Sequence, residues 1–249
     1  MLSFADNKAD LTLVGVGPGD RELMTLAAVS AIEGASVVAY PVARPDAVGM
    51  AAEIASPWIG RQQRRLPLLF PMVNEAEPRM AAWHSAADAL AAEVYDGQNV
   101  VLLCEGDVSL FATSSYVLLA LRQRYPDLPV RLIPGISSVF AAAAAGSWPL
   151  SLQREGLLIQ ATPDTEVEVE ALMALTRDKP IVLALLKVRQ RWRWLKPLLE
   201  TKGLLDQALF AQRVGWPDQL VCPAKNVSAG IKPYFSMLLI RQSWPQVMP

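Results

Sequence analysis

Val100 to Cys104 is an unbroken apolar run that stops abruptly at Glu105-Gly106-Asp107. A run that short and that apolar reads as a strand covered on both faces, the situation of a central strand in a parallel sheet with helices on each side. That reading restricts the chain to an α/β architecture. Gly106 lets the backbone turn or come close to a ligand, and a carboxylate flanks it on either side. Ligands of open α/β sheets bind at the carboxyl ends of strands. An acidic loop there suits a cationic or hydroxyl-rich ligand and repels a phosphate. Taken alone, these residues are explained equally well as a solvated strand-to-helix turn.

The flanking sequence alternates strand-like and amphipathic segments, the pattern of a parallel sheet. Strands are predicted at 11–16, 35–40 and 129–133, and helices at 22–33, 46–55, 75–95 and 113–124. The first helix is expected to bury Leu23, Leu26, Ala27, Ser30 and Ala31. The segment 61–70 is expected to be partly extended but broken by Pro67 and Pro71. Pro134-Gly135 marks a boundary between an N-terminal α/β domain, 1–133, and a C-terminal one, 134–249. Beyond it, helices are predicted at 137–145, 164–176 and 190–201, and strands at 156–161, 180–186, 207–213 and 234–241. The last strands follow one another without long helices, so the second sheet is expected to be mixed. The reading is two α/β domains, the first mostly parallel and the second mixed, with an active-site cleft between them.

Composition narrows the function. With 52% apolar and 19% charged residues the chain is globular. No apolar stretch reaches the ~18 residues of a membrane span, and residues 1–10 lack a signal-peptide apolar core. Cys104 and Cys222 are too scattered for a disulfide framework or a zinc site, which points to the reducing cytoplasm. A net charge of −1 argues against nucleic acid as a partner. A single histidine, His84, disfavours histidine metal sites and triads, so no metal is expected.

Gly15, Gly17 and Gly19 followed by Asp20 resemble a dinucleotide fingerprint poorly: the third glycine comes one residue early. A carboxylate at a helix N-terminus also competes with a phosphate for the same amides, so Asp20 reads as a helix cap. Basic residues gather at Arg61, Arg64 and Arg65, with Arg44 upstream and Arg79 downstream. They read either as a solvated run or as bidentate ligands for a multiply carboxylated substrate. The cluster Lys187, Arg189, Arg191, Arg193 and Lys196 reads as a helix start with an exposed face.

Three motifs, in order, resemble the tetrapyrrole (corrin/porphyrin) methylase family over about 11–241. They are VGVGPGDRELMTLAA at 14–28, Glu105-Gly106-Asp107-Val108 after its apolar strand, and Pro134-Gly-Ile-Ser-Ser138 followed by alanines. Within the family the chain is most similar to the branch that methylates carbon 20 of a reduced tetrapyrrole. Tyr40-Pro41, LPLLFPM at 66–72, LLKV at 185–188 and GWPDQ at 215–219 carry that likeness. Val108 stands in place of the loop's usual proline, and Ala112 in place of a glycine.

The resemblance implies an S-adenosylmethionine-dependent methyltransferase. It implies cofactor contacts at Pro18, Gly106, Asp107, Leu110, Ser137, Ser138, Leu186 and Ala211, with Glu105 and Gly215 as further candidates. A sulfonium cation with ribose hydroxyls and no phosphate agrees with the acidic loop. Arg44 and the run Arg61, Arg64, Arg65 are then expected to hold the substrate's carboxylates. No general base is evident; Tyr40, Glu105 and Asp107 are the candidates. The resemblance also implies a homodimer and leaves open whether the tetrapyrrole carries cobalt. A catalytically silent tetrapyrrole-binding protein is the competing reading from another class.

Overall fold

A computed structural model of the chain describes residues 10–73, 75–177 and 179–245. The expectation for residues 1–10 therefore falls, Asp10 apart, outside the described residues. The chain divides into two compact units that meet in sequence at Ser137 and Ser138.

In the first unit, β1 (Leu11–Gly15), β2 (Val37–Val42), β3 (Arg64–Leu69), β4 (Val100–Cys104) and β5 (Val130–Ile133) form one sheet in the order β3-β2-β4-β1-β5. Every pairing is parallel. Four helices connect the strands: α1 (Leu26–Glu33), α2 (Met50–Ala55), α3 (Ala76–Tyr95) and α4 (Thr113–Arg124). All residues of β1 and β4 are buried, as their apolar runs require. One face of the sheet, with Leu11, Leu13, Val100 and Leu102, packs on Leu90 and Val94 of α3 and Val117 and Leu121 of α4. Truncating one such leucine to alanine costs about 2–5 kcal/mol. The chain leaves β1 across β4 toward β2, and leaves β4 across β1 toward β5. These opposite departures make the β1–β4 carboxyl edge the switch point where α/β sheets open a ligand crevice.

The second unit holds α5 (Ser138–Ala145), β6 (Gly156–Ala161), α6 (Glu166–Arg177), β7 (Ile181–Leu186), α7 (Trp192–Thr201), β8 (Ala208–Gln212), β9 (Leu220–Pro223) and β10 (Ser236–Ile240). Its sheet runs β6-β7-β10-β8-β9. The β6–β7 pair is parallel and the other pairings are antiparallel, so the sheet is mixed as predicted. Trp192, Leu195, Leu198 and Leu199 form the buried face of α7, packed with Phe210 and Leu238.

Two expectations need correction. The helix predicted at 22–33 is a 3₁₀ turn at Arg21–Leu23 followed by α1. Asp20 caps only the turn, accepting from the Glu22 amide at 2.9 Å, while Thr25 caps α1 by accepting from Ala28 at 3.1 Å. The break changes the helical phase: α1 buries Ala28 and Ile32 and leaves Leu26 86% exposed. The second correction concerns 61–70, which is a continuous strand over Arg64–Leu69 despite Pro67. β3 is an edge strand paired only with β2, so a missing amide on its outer side breaks nothing.

Candidate active site

The carboxyl ends of β1, β4 and β5 are drawn together backbone on backbone. A Cβ on Gly135 would lie 2.1 Å from the Gly106 carbonyl oxygen, and one on Gly15 would lie 2.5 Å from the Gly135 nitrogen. No rotamer change relieves contacts between main-chain atoms, so only glycine fits. Gly17 and Gly106 exchange hydrogen bonds: the Gly106 amide donates to Gly17 O at 2.7 Å and the Gly17 amide donates back at 3.2 Å. The first glycine loop is therefore part of the same junction as the Glu105-Gly106-Asp107 turn.

The two acids of that turn have different surroundings. Asp107 accepts from the Gly135 amide at 3.0 Å on one oxygen and from the Ser109 amide at 2.9 Å on the other, with the Ser109 hydroxyl adding a third bond. Burial works against its charge, but these bonds prevail and hold its carboxyl below the usual range. Its acceptor positions are engaged, so Asp107 ties the β4 turn to the β5 turn and is a poor proton acceptor. Glu105 is half-buried, and among the described residues no hydrogen bond or ion pair reaches its carboxylate. Burial alone pushes its pKa up to about 7. Burial likewise pushes the Cys104 thiol up to about 11, which leaves it un-ionised and inert.

Behind the turn, Val108 is buried where the family's loop has proline. Its carbonyl accepts from the hydroxyls of Ser114 at 3.2 Å and Ser115 at 2.9 Å, which anchors the start of α4. Ala112 is the N-cap and offers no side-chain cap. Phe111 just before it takes a positive φ of 52°.

Of the other predicted residues, half-buried Pro18 and Leu110 and buried Ser137 belong to the loops of this junction. Ser138, Leu186, Ala211 and Gly215 lie in the second unit. Ser138 opens α5 and Leu186 ends β7, while Gly215, at φ 82°, donates to Gln219 Oε1 at 2.8 Å. Ala211 is fully enclosed within β8, between β10 and β9. Tyr40 sits toward the carboxyl end of β2, its ring against Gly49.

The arginine run is not brought to the junction. Arg64 and Arg65 pair with Val37 and Val38 at the amino end of the sheet, level with Val100 and Val101. Glu105 is five residues further along β4, about 16 Å at strand rise. Arg61 precedes β3 on the same far edge, and Arg64 is ion-paired to Glu93 of α3. A basic run carries no sign of which end of its strand it occupies, and here a surface role explains it. Exposed Arg44 follows β2 and is on the carboxyl edge. What the sequence reading missed is the clamp itself, Gly15 and Gly135 against Gly106 and Ser109 on Asp107. The Asp-x-Ser spacing of an Asx turn was the available signal for the Ser109 contact.

Residues 10–227 match the family model described as Tetrapyrrole (Corrin/Porphyrin) Methylases. The chain is 29% identical to the cobalt-precorrin-2 C(20)-methyltransferase of Salmonella typhimurium, over 94% of this chain and 97% of that protein. It is 28% identical to the precorrin-2 C(20)-methyltransferase of a Sinorhizobium species, over 91% of this chain and 93% of the other. Among solved structures it is similar to the cobalamin biosynthetic enzyme cobalt precorrin-4 methyltransferase, CbiF. That match has TM-score 0.68 and 22% identity, and covers 97% of this chain and 98% of the other. The uroporphyrin-III C-methyltransferase of Thermus thermophilus, complexed with S-adenyl homocysteine, matches with TM-score 0.63 and 20% identity over 94% and 92% of the two chains. These two structures agree with this one in fold. With the family model matched over most of its length, the chain belongs to the tetrapyrrole (corrin/porphyrin) methylase family.

Proposed function

We propose that this chain is an S-adenosylmethionine-dependent C-methyltransferase that methylates carbon 20 of precorrin-2, giving precorrin-3A in cobalamin biosynthesis. The likeness to two C(20)-methyltransferases over more than nine-tenths of the chain supports the substrate. The chemistry rests on one observation, the Glu105 carboxylate without a partner among the described residues, beside a glycine-lined strand edge.

The residues of the junction fit the methyl donor. The turn offers acids and main-chain groups and no basic side chain, which suits a sulfonium and not a phosphate. Pro18, Gly106, Leu110 and Ser137 are the proposed contacts in the first unit, and Ser138, Leu186, Ala211 and Gly215 those in the second. Asp107 acts by positioning the turn. When bound, S-adenosylmethionine supplies a methyl group already activated by its sulfonium. The chain must then hold the acceptor carbon in line and take up the proton which that carbon loses as the carbon–carbon bond forms and the carbon–sulfur bond breaks. Glu105 is the proposed acceptor. A carboxylate with its pKa near neutrality is matched to that task, whereas Asp107 is held too acidic for it. Tyr40 is left as a neighbour of the β2 edge, and Arg44 as the first-unit cation for a substrate carboxylate. The chain is proposed to act in the cytoplasm as a homodimer, with no nucleic-acid or membrane partner.

Cobalt-precorrin-2 is the second reading of the substrate, favoured by the match to the Salmonella enzyme. Mass spectrometry of precorrin-2 and its cobalt complex, each incubated with the protein and S-adenosylmethionine, tests both. The expected result is the mass of one added methyl on the tetrapyrrole. No mass gain on either substrate, together with no heat of binding when S-adenosylmethionine is titrated in, would overturn the methyltransferase reading, and precorrin-2 binding retained under those conditions would favour the silent tetrapyrrole-binding protein.

A further inference from the structure

In the second unit the carboxyl ends of β7 and β8 lie on either side of the amino end of β10. Three basic residues follow those ends in backbone conformations that side chains rarely adopt: Lys187 at φ 59°, Arg189 at φ 50° and Arg213 at φ 46°. The strain is held in place on every side. Ser236, 2% exposed, accepts the Val188 amide on its carbonyl at 3.1 Å and the Arg189 amide on its hydroxyl at 3.1 Å. The Lys232 amide donates to Arg189 O at 3.2 Å, Arg191 Nη1 donates to Lys187 O at 3.1 Å, and the Arg213 amide donates to Phe235 O at 2.8 Å. Strained residues persist where the surroundings over-determine them, and they gather at functional sites.

The side chains are arranged as well as the backbone. Lys187 Nζ lies 5.7 Å and Arg189 Cζ 5.4 Å from the centre of the half-buried Tyr234 ring, so two cations share one aromatic platform. Asp218 neutralises Arg213 and Asp164 neutralises Arg191. Among the described residues no acid pairs with Arg189. We propose that Arg189, with Lys187 beside it on Tyr234, is a carboxylate-binding site, and that it takes peripheral carboxylates of the tetrapyrrole substrate. This rests on the proposed function for the substrate, and it moves the substrate-holding role from Arg61, Arg64 and Arg65 to the second unit.

Glycine is at ease at φ 50°, so Arg189→Gly removes the cation without disturbing the backbone, and Arg189→Asn, also tolerant of that region, serves as a second variant. The probe is uroporphyrin III, a stable octacarboxylate, with binding followed by fluorescence; S-adenosylhomocysteine is titrated in parallel. Arg189→Gly is expected to weaken uroporphyrin binding about tenfold, as loss of a charged hydrogen bond does, with Arg189→Lys recovering part of it. S-adenosylhomocysteine affinity and the melting temperature should stay at the wild-type values, and Arg122→Ala on α4 should leave uroporphyrin binding unchanged. Unchanged uroporphyrin affinity in both the glycine and asparagine variants would overturn the inference. A wild-type protein that binds neither uroporphyrin nor S-adenosylhomocysteine would overturn the proposed function itself.

Discussion

Glu105 in the first unit is half-buried and Glu155 in the second has its side chain almost wholly enclosed, and their surroundings treat them in opposite ways. Glu155, with 2% of its side chain exposed, receives Arg241 Nε and Nη2 at 2.8 Å each and the Leu152 amide at 2.7 Å. Arg241 is itself enclosed between the rings of Trp148 and Trp244, their centres 4.4 and 4.0 Å from its Cζ. Burial alone would raise the Glu155 pKa, but these donors hold it low. Among the described residues Glu105 has no donor, and the same physical effect leaves it at about 7. A buried acid with a partner is architecture. A half-buried acid without one retains an affinity for a proton, and this one lies where the first sheet opens.

The largest expected effect is on the paired acid. Glu155→Ala strands a buried guanidinium and should cost about 3–5 kcal/mol, read by urea denaturation. Its pKa is depressed in the folded state. Its contribution is therefore full above the unfolded value of 4.5 and lost as pH falls through the folded one. The unpaired acid should behave with the reverse sign. Its folded pKa lies above 4.5, so ionised Glu105 destabilises the protein at high pH. Glu105→Gln should therefore stabilise by up to about 3 kcal/mol at pH 8, with the gain shrinking below pH 7 and vanishing below about pH 4.5. A destabilised Glu105→Gln protein at pH 8 would mean that the carboxylate has a partner after all, and the contrast would fail.

Asp107 should fall between the two in character and show the smallest effect. Asp107→Ala removes bonds from exposed and half-buried donors and should cost about 1–2 kcal/mol of stability. Because those bonds hold the junction together, S-adenosylhomocysteine should also bind more weakly, as calorimetry would show. Unchanged affinity would place the cofactor away from this turn.

How far the sequence disclosed these features varied with their physical origin. Hydrophobic burial is written in residue types, so β1 and β4 and the mixed second sheet were legible. Pro67 argued against β3 because local propensity cannot tell an edge strand from a central one. Short β9, ending in Pro223 at the other sheet's edge, was missed for the same reason. At the junction, Glu105, Gly106 and Asp107 were visible as a turn. That Asp107 is saturated and Glu105 is not depends on Ser109 and Gly135, and the Gly135 contact joins loops 28 residues apart. The arginines misled because residue type marks charge but not the end of the sheet. The strained conformations of Arg189 and Arg213 are held by hydrogen bonds to Ser236 at the start of β10 and to Phe235 just before it, and no local pattern encodes those partners.

The claim most open to direct test is that Glu105 receives the proton released on methylation. The rate of methyl transfer from saturating S-adenosylmethionine to precorrin-2 should be measured from pH 5 to 9 in the wild-type protein and in Glu105→Gln. The wild-type rate should fall as pH drops through about 7, where Glu105 becomes protonated. The variant should lose most of its rate, show no inflection there, and still bind S-adenosylhomocysteine at wild-type affinity. A Glu105→Gln protein with wild-type rate and the same pH profile would contradict the account.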